Sequence, residues 1–98
     1  MTKAEVVAAI AQKTGIERIT VQATVEAFMD VLKGAMIDGE NVYLRGFGSF
    51  IIKKRAEKTG RNISKNTTII IPAHNIPAFK PAKAFVNEVK DNVKVKNK

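Results

Sequence analysis

The sequence contains no cysteine, no tryptophan and only one histidine among its 98 residues. Without cysteine the chain can form neither a disulfide framework nor a thiolate metal site. The single histidine, His74, has no acidic neighbour in sequence to orient it as a base, so we interpret it as a surface side chain. The stretch Gly46-Phe47-Gly48 is not a phosphate-binding loop, because no Gly-Lys-Ser/Thr motif follows it and no predicted helix opens after it. We expect no enzyme activity, no cofactor and no small-molecule substrate.

Long apolar segments are also missing. No stretch approaches the roughly 18 consecutive apolar residues that suggest a membrane-spanning helix, and the first residues lack the pattern of a signal peptide. We therefore expect a soluble cytoplasmic protein. Hydrophobic residues still make up 45% of the chain, which predicts a folded domain. Because so short a domain buries only about 60–65% of its unfolded surface, we expect an apolar face that packs on a second chain.

Acidic residues are scarce in only one half of the chain. Residues 1–52 carry five Lys or Arg and six Asp or Glu, whereas residues 53–98 carry twelve basic and three acidic residues. This segregation predicts a scaffold in the first half and a surface for a polyanion in the second. Nucleic acid and an anionic membrane are the two candidate partners. The basic residues of the stretch 53–83 are Lys53, Lys54, Arg55, Lys58, Arg61, Lys65, Lys80 and Lys83.

Two helices are predicted in residues 1–39. Thr2 followed by Glu5 is the pattern of a capping box, and Gly15 supplies a left-handed stop, which predicts a first helix of about three turns between them. A longer helix then runs to about Asp38, with Gly39 after it. Its start is left open, because either Glu17 or Thr20 could cap it. Its apolar positions cover more than half of the circumference, which predicts packing on two sides, one of them against a partner chain.

The middle of the chain predicts an antiparallel sheet. Residues 41–45 and 49–55 are strands joined by a tight turn at Gly46–Gly48, where glycine tolerates a positive φ. Residues 67–73 are β-branched and apolar and predict the returning strand. Because Pro72 and Pro77 lack the N–H of a ladder, we expect this strand to be an edge strand or bulged there. A last helix over residues 83–92, with its apolar side chains inward, and a basic tail over residues 93–98 complete a single domain.

Residues 58–66 are almost entirely polar and lie between two predicted strands, which indicates a β-hairpin arm. From Lys53 to Ile63 a strand reaches about 33 Å at roughly 3.3 Å per residue, or about one turn of B-DNA. Ile63 is an isolated apolar residue at the predicted tip of this arm. Two interpretations fit it equally on spacing alone: a side chain folded back on its own ribbon, or a wedge inserted between base steps of DNA.

Several short motifs resemble the bacterial histone-like HU and integration host factor family. Their order and spacing fit that family without gaps from the first residue to about residue 90, and the resemblance is closest to HU. The matching stretches are Gly46-Phe47-Gly48-Ser49-Phe50, Arg55-Ala56, Thr59-Gly60-Arg61-Asn62, Ile71-Pro72-Ala73 and Pro77-Ala78-Phe79-Lys80.

The resemblance implies an α+β fold and an intertwined dimer. Two N-terminal helices (residues 1–39) would pack below a three-stranded antiparallel sheet with a long β-ribbon arm (residues 40–82), followed by a short C-terminal helix. Two such arms would wrap the minor groove of double-stranded DNA. The residues implied to contact DNA are Lys3, Lys53, Arg55, Lys58, Arg61, Asn62, Ile63, Lys65, Lys80 and Lys83, and those implied in the dimer core are Phe28, Phe47, Phe50 and Phe79. Among the DNA contacts, the resemblance places Arg55, Lys58, Arg61 and Asn62 on the arm.

The chain departs from the family pattern at the arm. Proline usually follows Gly-Arg-Asn in the family, and this chain has Ile63, which remains apolar but lacks the fixed φ of proline. Asn66 stands where a glycine often makes the turn of the tip, and asparagine also enters the left-handed region. A basic residue common near the returning strand is Asn75 here, so the contact of that residue is not carried over.

These observations predict an architectural DNA-binding protein of the bacterial nucleoid that bends and compacts the duplex with little sequence preference. Its partner in the dimer is an identical chain or a paralogue. Three alternatives remain: a site-specific bender of the integration host factor type, an RNA- or ribosome-associated binder, and a membrane-surface protein. The last would need a basic amphipathic helix, whereas the basic residues here lie mainly on predicted ribbon.

Overall fold

The computed structural model describes residues 1–62 and 67–95. These residues form three helices: α1 (Lys3–Thr14), α2 (Arg18–Ile37) and α3 (Lys83–Asn92). Among the described residues, no helix is both long enough and apolar enough to cross a membrane.

The ends of the first two helices follow from their capping residues. The Thr2 hydroxyl accepts a hydrogen bond from the Glu5 N–H (3.3 Å) and donates to the Glu5 carboxylate (3.2 Å), which confirms the predicted cap of α1. Gly15 has a φ of +76°, and its N–H bonds the Ala11 carbonyl, as a left-handed helix stop requires. At the start of α2, Glu17 occupies the cap position without a capping side-chain bond, which settles the start that the sequence left open.

In the described part of the chain five strands form two sheets, and the α+β class is confirmed. Strands β1 (Val42–Leu44), β2 (Gly48–Arg55) and β5 (His74–Pro81) make a three-stranded antiparallel sheet in the order β1-β2-β5. Strands β3 (Lys58–Asn62) and β4 (Thr67–Ile71) pair antiparallel as a separate ribbon, the predicted arm.

The predicted returning strand is confirmed over residues 67–71 as β4, but the return continues in a separate strand, β5, which was not predicted. The chain forms β4, leaves the ladder at Pro72 and Ala73, and begins β5 at His74. Proline lacks the N–H that a ladder needs and has a restricted φ, which explains the interruption. Ala56 and Glu57, between β2 and β3, also belong to no strand. Both chain segments that connect the sheet to the arm therefore leave the strand conformation at the same point. Pro77 remains within β5, opposite Ile52, because β5 is an edge strand whose outer side needs no partner.

The two glycines of the Gly-Phe-Gly stretch serve different purposes. Gly46 has a φ of +83° in the turn that the bond from the Phe47 N–H to the Leu44 carbonyl closes (3.0 Å), as predicted. Gly48 instead lies in β2, where a Cβ would come within 2.6 Å of the Phe79 ring and 2.7 Å of the Lys80 carbonyl oxygen. A close approach of β5, and not a positive φ, therefore requires glycine at this position.

An aromatic cluster lies under the turn between β1 and β2. The rings of Phe50 and Phe79 are 4.8 Å apart, and Phe47 lies 5.2 Å from Phe79 and 5.5 Å from Phe85 of α3. The bond from the Ala82 N–H to the Phe47 carbonyl (2.9 Å) fixes the start of α3 against this turn. The cluster joins the three-stranded sheet to the last helix.

The chain encloses almost no core of its own. Among the described residues only Val7 of α1 and Val21 of α2 are buried apolar side chains, at 2% and 3% exposure. The radius of gyration is 19.1 Å, against about 13 Å for a compact domain of 100 residues. Val86 and Val89 of α3, predicted to point inward, are 44% and 47% exposed in the single chain. The fold therefore leaves much of its apolar surface uncovered.

We expect Gly48→Ala to lower the free energy of unfolding by about 2 kcal/mol or more, because the added methyl group meets the carbonyl oxygen of Lys80, which is backbone and cannot move aside cheaply. Gly60→Ala is the matched control, since a Cβ there makes only an ordinary contact of 3.9 Å with the Ile69 carbonyl oxygen. Urea unfolding followed by circular dichroism, at one fixed protein concentration, measures both. Equal stabilities of the two variants would contradict the close approach.

Candidate nucleic-acid interface

The pairing register separates the two faces of the three-stranded sheet. Residues directly opposite in an antiparallel ladder share a face, and faces alternate along each strand. Phe50 lies opposite both Val42 and Phe79, which places these three on the face that carries the aromatic cluster. The opposite face, called the outer face below, carries Tyr43, Ser49, Ile51, Lys53, Arg55, His74, Ile76, Ala78 and Lys80.

Four of the predicted DNA-contact residues lie on or beside this outer face. Lys53, Arg55 and Lys80 belong to it, and Lys83 begins α3 directly after β5. All four side chains are exposed. The structure thus brings together residues that are 30 positions apart in sequence, because β5 returns alongside β2.

The position of Arg55 differs from the prediction that it lies on the arm. It is the last residue of β2 and faces His74, the first residue of β5, so it marks the outer end of the three-stranded sheet. His74 Nδ1 lies 3.0 Å from the carbonyl oxygen of Pro72, where the arm begins. Arg55 is therefore placed at the junction of sheet and arm.

The arm itself carries the next predicted contacts. Lys58 begins β3 opposite Ile71, and its side chain is exposed. Arg61 and Asn62 pair through their backbones with Thr68 and Thr67. The remaining two predicted contacts of the arm, Ile63 and Lys65, lie outside the described residues.

A cavity of about 500 Å³ opens beside the outer face, where the β1–β2 turn meets the end of β5. Arg45, Lys80 and Lys83 line it, and no acidic side chain does. Within the described part of the chain, none of these three cations takes part in an ion pair. Cations gathered without counter-charges give a positive potential that favours an anionic ligand.

Arg45, Ser49 and Tyr43 also belong to this surface, although they were not predicted from the sequence. Tyr43 lies between the half-buried Val42 and Leu44, and this alternation in a short strand was the signal that could have placed it outward. Arg45 had no such signal, because it lies in a turn whose direction only the fold determines.

Lys3 is the one described basic residue of the prediction that has an acidic partner. Its Nζ lies 2.9 Å from Glu26 Oε2 on α2, in an ion pair between two largely exposed side chains. The hydrogen bond and charge of Lys3 lower the pKa of Glu26, and a weaker hydrogen bond from Gln22 acts in the same direction. A phosphate that contacts Lys3 would compete with Glu26 for the same ammonium group.

The predicted dimer-core phenylalanines are incompletely covered in the single chain. Phe28, Phe47 and Phe79 are 48%, 47% and 40% exposed, and Phe50 is half-buried. Phe28 projects from α2 outside the aromatic cluster that joins the other three. Their positions leave room for a second chain to cover them.

Comparison with known proteins identifies the family. Residues 1–90 match the family described as bacterial DNA-binding protein. The chain belongs to this family. The HU relatives include the SPbeta prophage-derived DNA-binding protein HU 2 of Bacillus subtilis, 42% identical over 90 residues that cover 92% of this chain and 98% of the relative. The DNA-binding protein HU of Thermus thermophilus is 41% identical over 90 residues, covering 92% and 93% of the two chains.

Solved HU structures share the fold. An Anabaena HU solved as a cocrystal with DNA superimposes with a TM-score of 0.86 at 36% identity, over 91% of this chain and 97% of that one. An HU mutant from Thermotoga maritima superimposes with a TM-score of 0.69 at 27% identity, over 91% and 99%. The resemblance to HU inferred from the short motifs is thus confirmed.

We expect Lys3→Met to raise the pKa of Glu26 towards its ordinary value, because both the hydrogen bond and the charge that stabilise the carboxylate are removed. Gln22→Ala should raise it by a smaller amount. Carboxyl ¹³C chemical shifts followed through a pH titration measure the pKa in each protein. The stabilising contribution of Glu26 is present above its unfolded pKa and is lost as pH falls through the lowered one. A larger shift in the Gln22 variant would contradict this order.

Proposed function

We propose that this protein is an architectural component of the bacterial nucleoid that binds double-stranded DNA largely without sequence preference and bends it. The observation that carries the proposal is the outer face, where Lys53, Arg55 and Lys80 lie on one side of a sheet that continues into a two-stranded arm. An HU with the same fold has been solved with DNA. A cytoplasmic location on the nucleoid follows from this activity, and no catalytic role is part of the proposal.

The binding unit in this proposal is a dimer. A cavity of about 610 Å³ between α2 and the sheet is lined largely by apolar residues, among them Met36, Ile52 and Ile76. Together with the exposed phenylalanines and the nearly absent core, this groove favours a second copy or a paralogue as its occupant. A saddle would then form from two outer faces, with one arm on each side, and Phe28, Phe47, Phe50 and Phe79 would lie in the shared core.

Phosphate contacts supply most of the affinity in this mechanism. Lys53, Arg55, Lys80 and Lys83 hold the backbone at the saddle and its outer ends, and Lys58, Arg61, Asn62 and Lys65 hold it along the arm. Each neutralised phosphate releases condensed counterions, so affinity should fall steeply with salt. Lys3 would add a contact at the flank, where the phosphate competes with Glu26 for its ammonium group.

Bending uses the arms. Bending a site of 20–30 base pairs by 40–90° costs about 1–6 kcal/mol, which the contacts of the arms must offset. In this mechanism Ile63 enters a base step from each arm and holds it open. Nicked, mismatched or flexible DNA should bind best, since such sites are cheaper to unstack and kink. The similarity to HU proteins, one of them solved with DNA, favours this function over that of a site-specific bender of the integration host factor type.

Fluorescence anisotropy with a labelled 30-base-pair duplex tests the function. We expect tight binding at low salt, about equal competition by unrelated duplexes, weaker competition by double-stranded RNA, and none by neutral vesicles. Sedimentation of the same samples should give two chains per bound unit. Preference for one sequence by tens-fold would support the site-specific alternative, and preference for RNA or co-sedimentation with anionic vesicles would overturn the proposal.

We expect Ile63→Ala to reduce DNA bending more than DNA binding, because a methyl group cannot hold a base step open. Fluorescence transfer between the two ends of a labelled duplex reports the bend, and anisotropy reports the affinity. Ile70→Ala is the matched control: it removes the same side chain from β4, where Ile70 is 64% exposed opposite Thr59. Ile63→Pro should retain the bend. An unchanged bend in Ile63→Ala would exclude Ile63 from the mechanism.

A further inference from the structure

Tyr43 is the single tyrosine of a chain that has no tryptophan. It lies in the middle of β1 on the outer face, with Ser49 opposite on β2 and Lys80 next in the same row on β5. Its side chain is 71% exposed, although Val42 and Leu44 on either side are half-buried. A single exposed aromatic ring is common on protein surfaces and indicates no function by itself. The groups around the ring are more informative.

The hydroxyl of Tyr43 is held in place by the strand pair. Asn41 Nδ2 donates a hydrogen bond to the Tyr43 hydroxyl (3.2 Å), while Asn41 Oδ1 accepts from the Ile52 N–H (3.0 Å). The backbone bond fixes which end of the Asn41 amide faces the tyrosine. The hydroxyl therefore accepts from Asn41, and its own proton is directed to no acceptor among the described residues. The Tyr43 O–H is therefore a positioned donor that is available to a ligand.

The surroundings of this donor select an anion. Tyr43 lines the cavity of about 500 Å³ that Ser49, Arg45, Lys80 and Lys83 also line, and no carboxylate lines it. A phosphodiester group suits these donors, because its oxygens accept from hydroxyl, guanidinium and ammonium groups at once. A neutral ligand would leave three cations without compensation.

We propose that the Tyr43 hydroxyl donates a hydrogen bond to a backbone phosphate of the bound duplex, within the cavity formed with Arg45, Lys80 and Lys83. The inference rests on the proposed function, since it assigns one contact of the same duplex. The tyrosine positions the sheet on the DNA backbone and reads no base. The tyrosine hydroxyl is a neutral donor, so its contribution does not depend on counterion release.

The emission of Tyr43 reports its own environment, because no other residue of the chain fluoresces comparably. We expect saturable quenching when a 30-base-pair duplex is added, with the stoichiometry found by anisotropy. The matched control carries Tyr43→Phe together with Gln12→Tyr, which moves the only tyrosine to an exposed position on α1, outside the cavity. Its emission should change only by the absorbance of the DNA.

Tyr43→Phe removes the hydroxyl and keeps the ring. We expect roughly threefold to tenfold weaker duplex binding, the range of one hydrogen bond, with the slope of log affinity against log salt unchanged. Arg45→Gln should also weaken binding but reduce that slope by about one per contact. Circular dichroism melting of both variants checks that the fold is retained.

The outcomes separate this inference from the proposed function. If the native protein does not bind duplex, the proposed function fails and Tyr43 has no role to test. If the native protein binds but Tyr43→Phe binds equally and the emission stays constant, only the inference is overturned. Protection of Tyr43 from acrylamide before DNA is added would place it in the subunit interface and also overturn it. Equal quenching by millimolar inorganic phosphate would identify a free-anion site instead of a duplex contact.

Discussion

The antiparallel pairing of β2 with β5, from Gly48 opposite Pro81 to Arg55 opposite His74, arranges both faces of the sheet together. A shift of one residue would move every side chain to the other face. In the observed register Phe50 meets Phe79 beneath the sheet, while Ser49 and Lys80 meet above it. The close approach of β5 at Gly48 allows this register. The aromatic cluster, the cation-lined cavity and the junction with the arm all depend on the same ladder.

Acidic and basic residues lie in different parts of the fold. Acidic residues are concentrated in the helical half, where Glu26 pairs with Lys3. The cations around the outer face have no such partner in the described part of the chain. Exposed ion pairs contribute little to stability, so leaving these cations unpaired costs the fold little. It keeps their potential available to a polyanion, which is the property a sequence-independent DNA binder needs.

The single chain has almost no core, and the arm lies outside it. With only Val7 and Val21 buried among the described residues, the helices cannot hold the sheet by themselves, and a second chain supplies the missing surface in the proposed dimer. The arm lies beyond this core, separated by the interruptions at Ala56–Glu57 and Pro72–Ala73. A two-stranded ribbon is marginally stable in water. An arm of this kind adapts its shape to the groove it enters, whereas the sheet keeps its shape.

The sequence by itself determined the parts that depend on local chemistry. The Thr2 cap, the Gly15 stop, the Gly46 turn and the alternation of the strands follow from neighbours a few residues apart, and the short motifs identified the family. Tertiary structure alone decided where Lys80 lies relative to Lys53, why Gly48 must be glycine, and that Lys3 meets Glu26 across 23 residues. It also brought Tyr43 and Arg45 to the cavity. Local rules specify conformation along the chain, but contacts between distant residues depend on the register of the ladder, which many residues determine together.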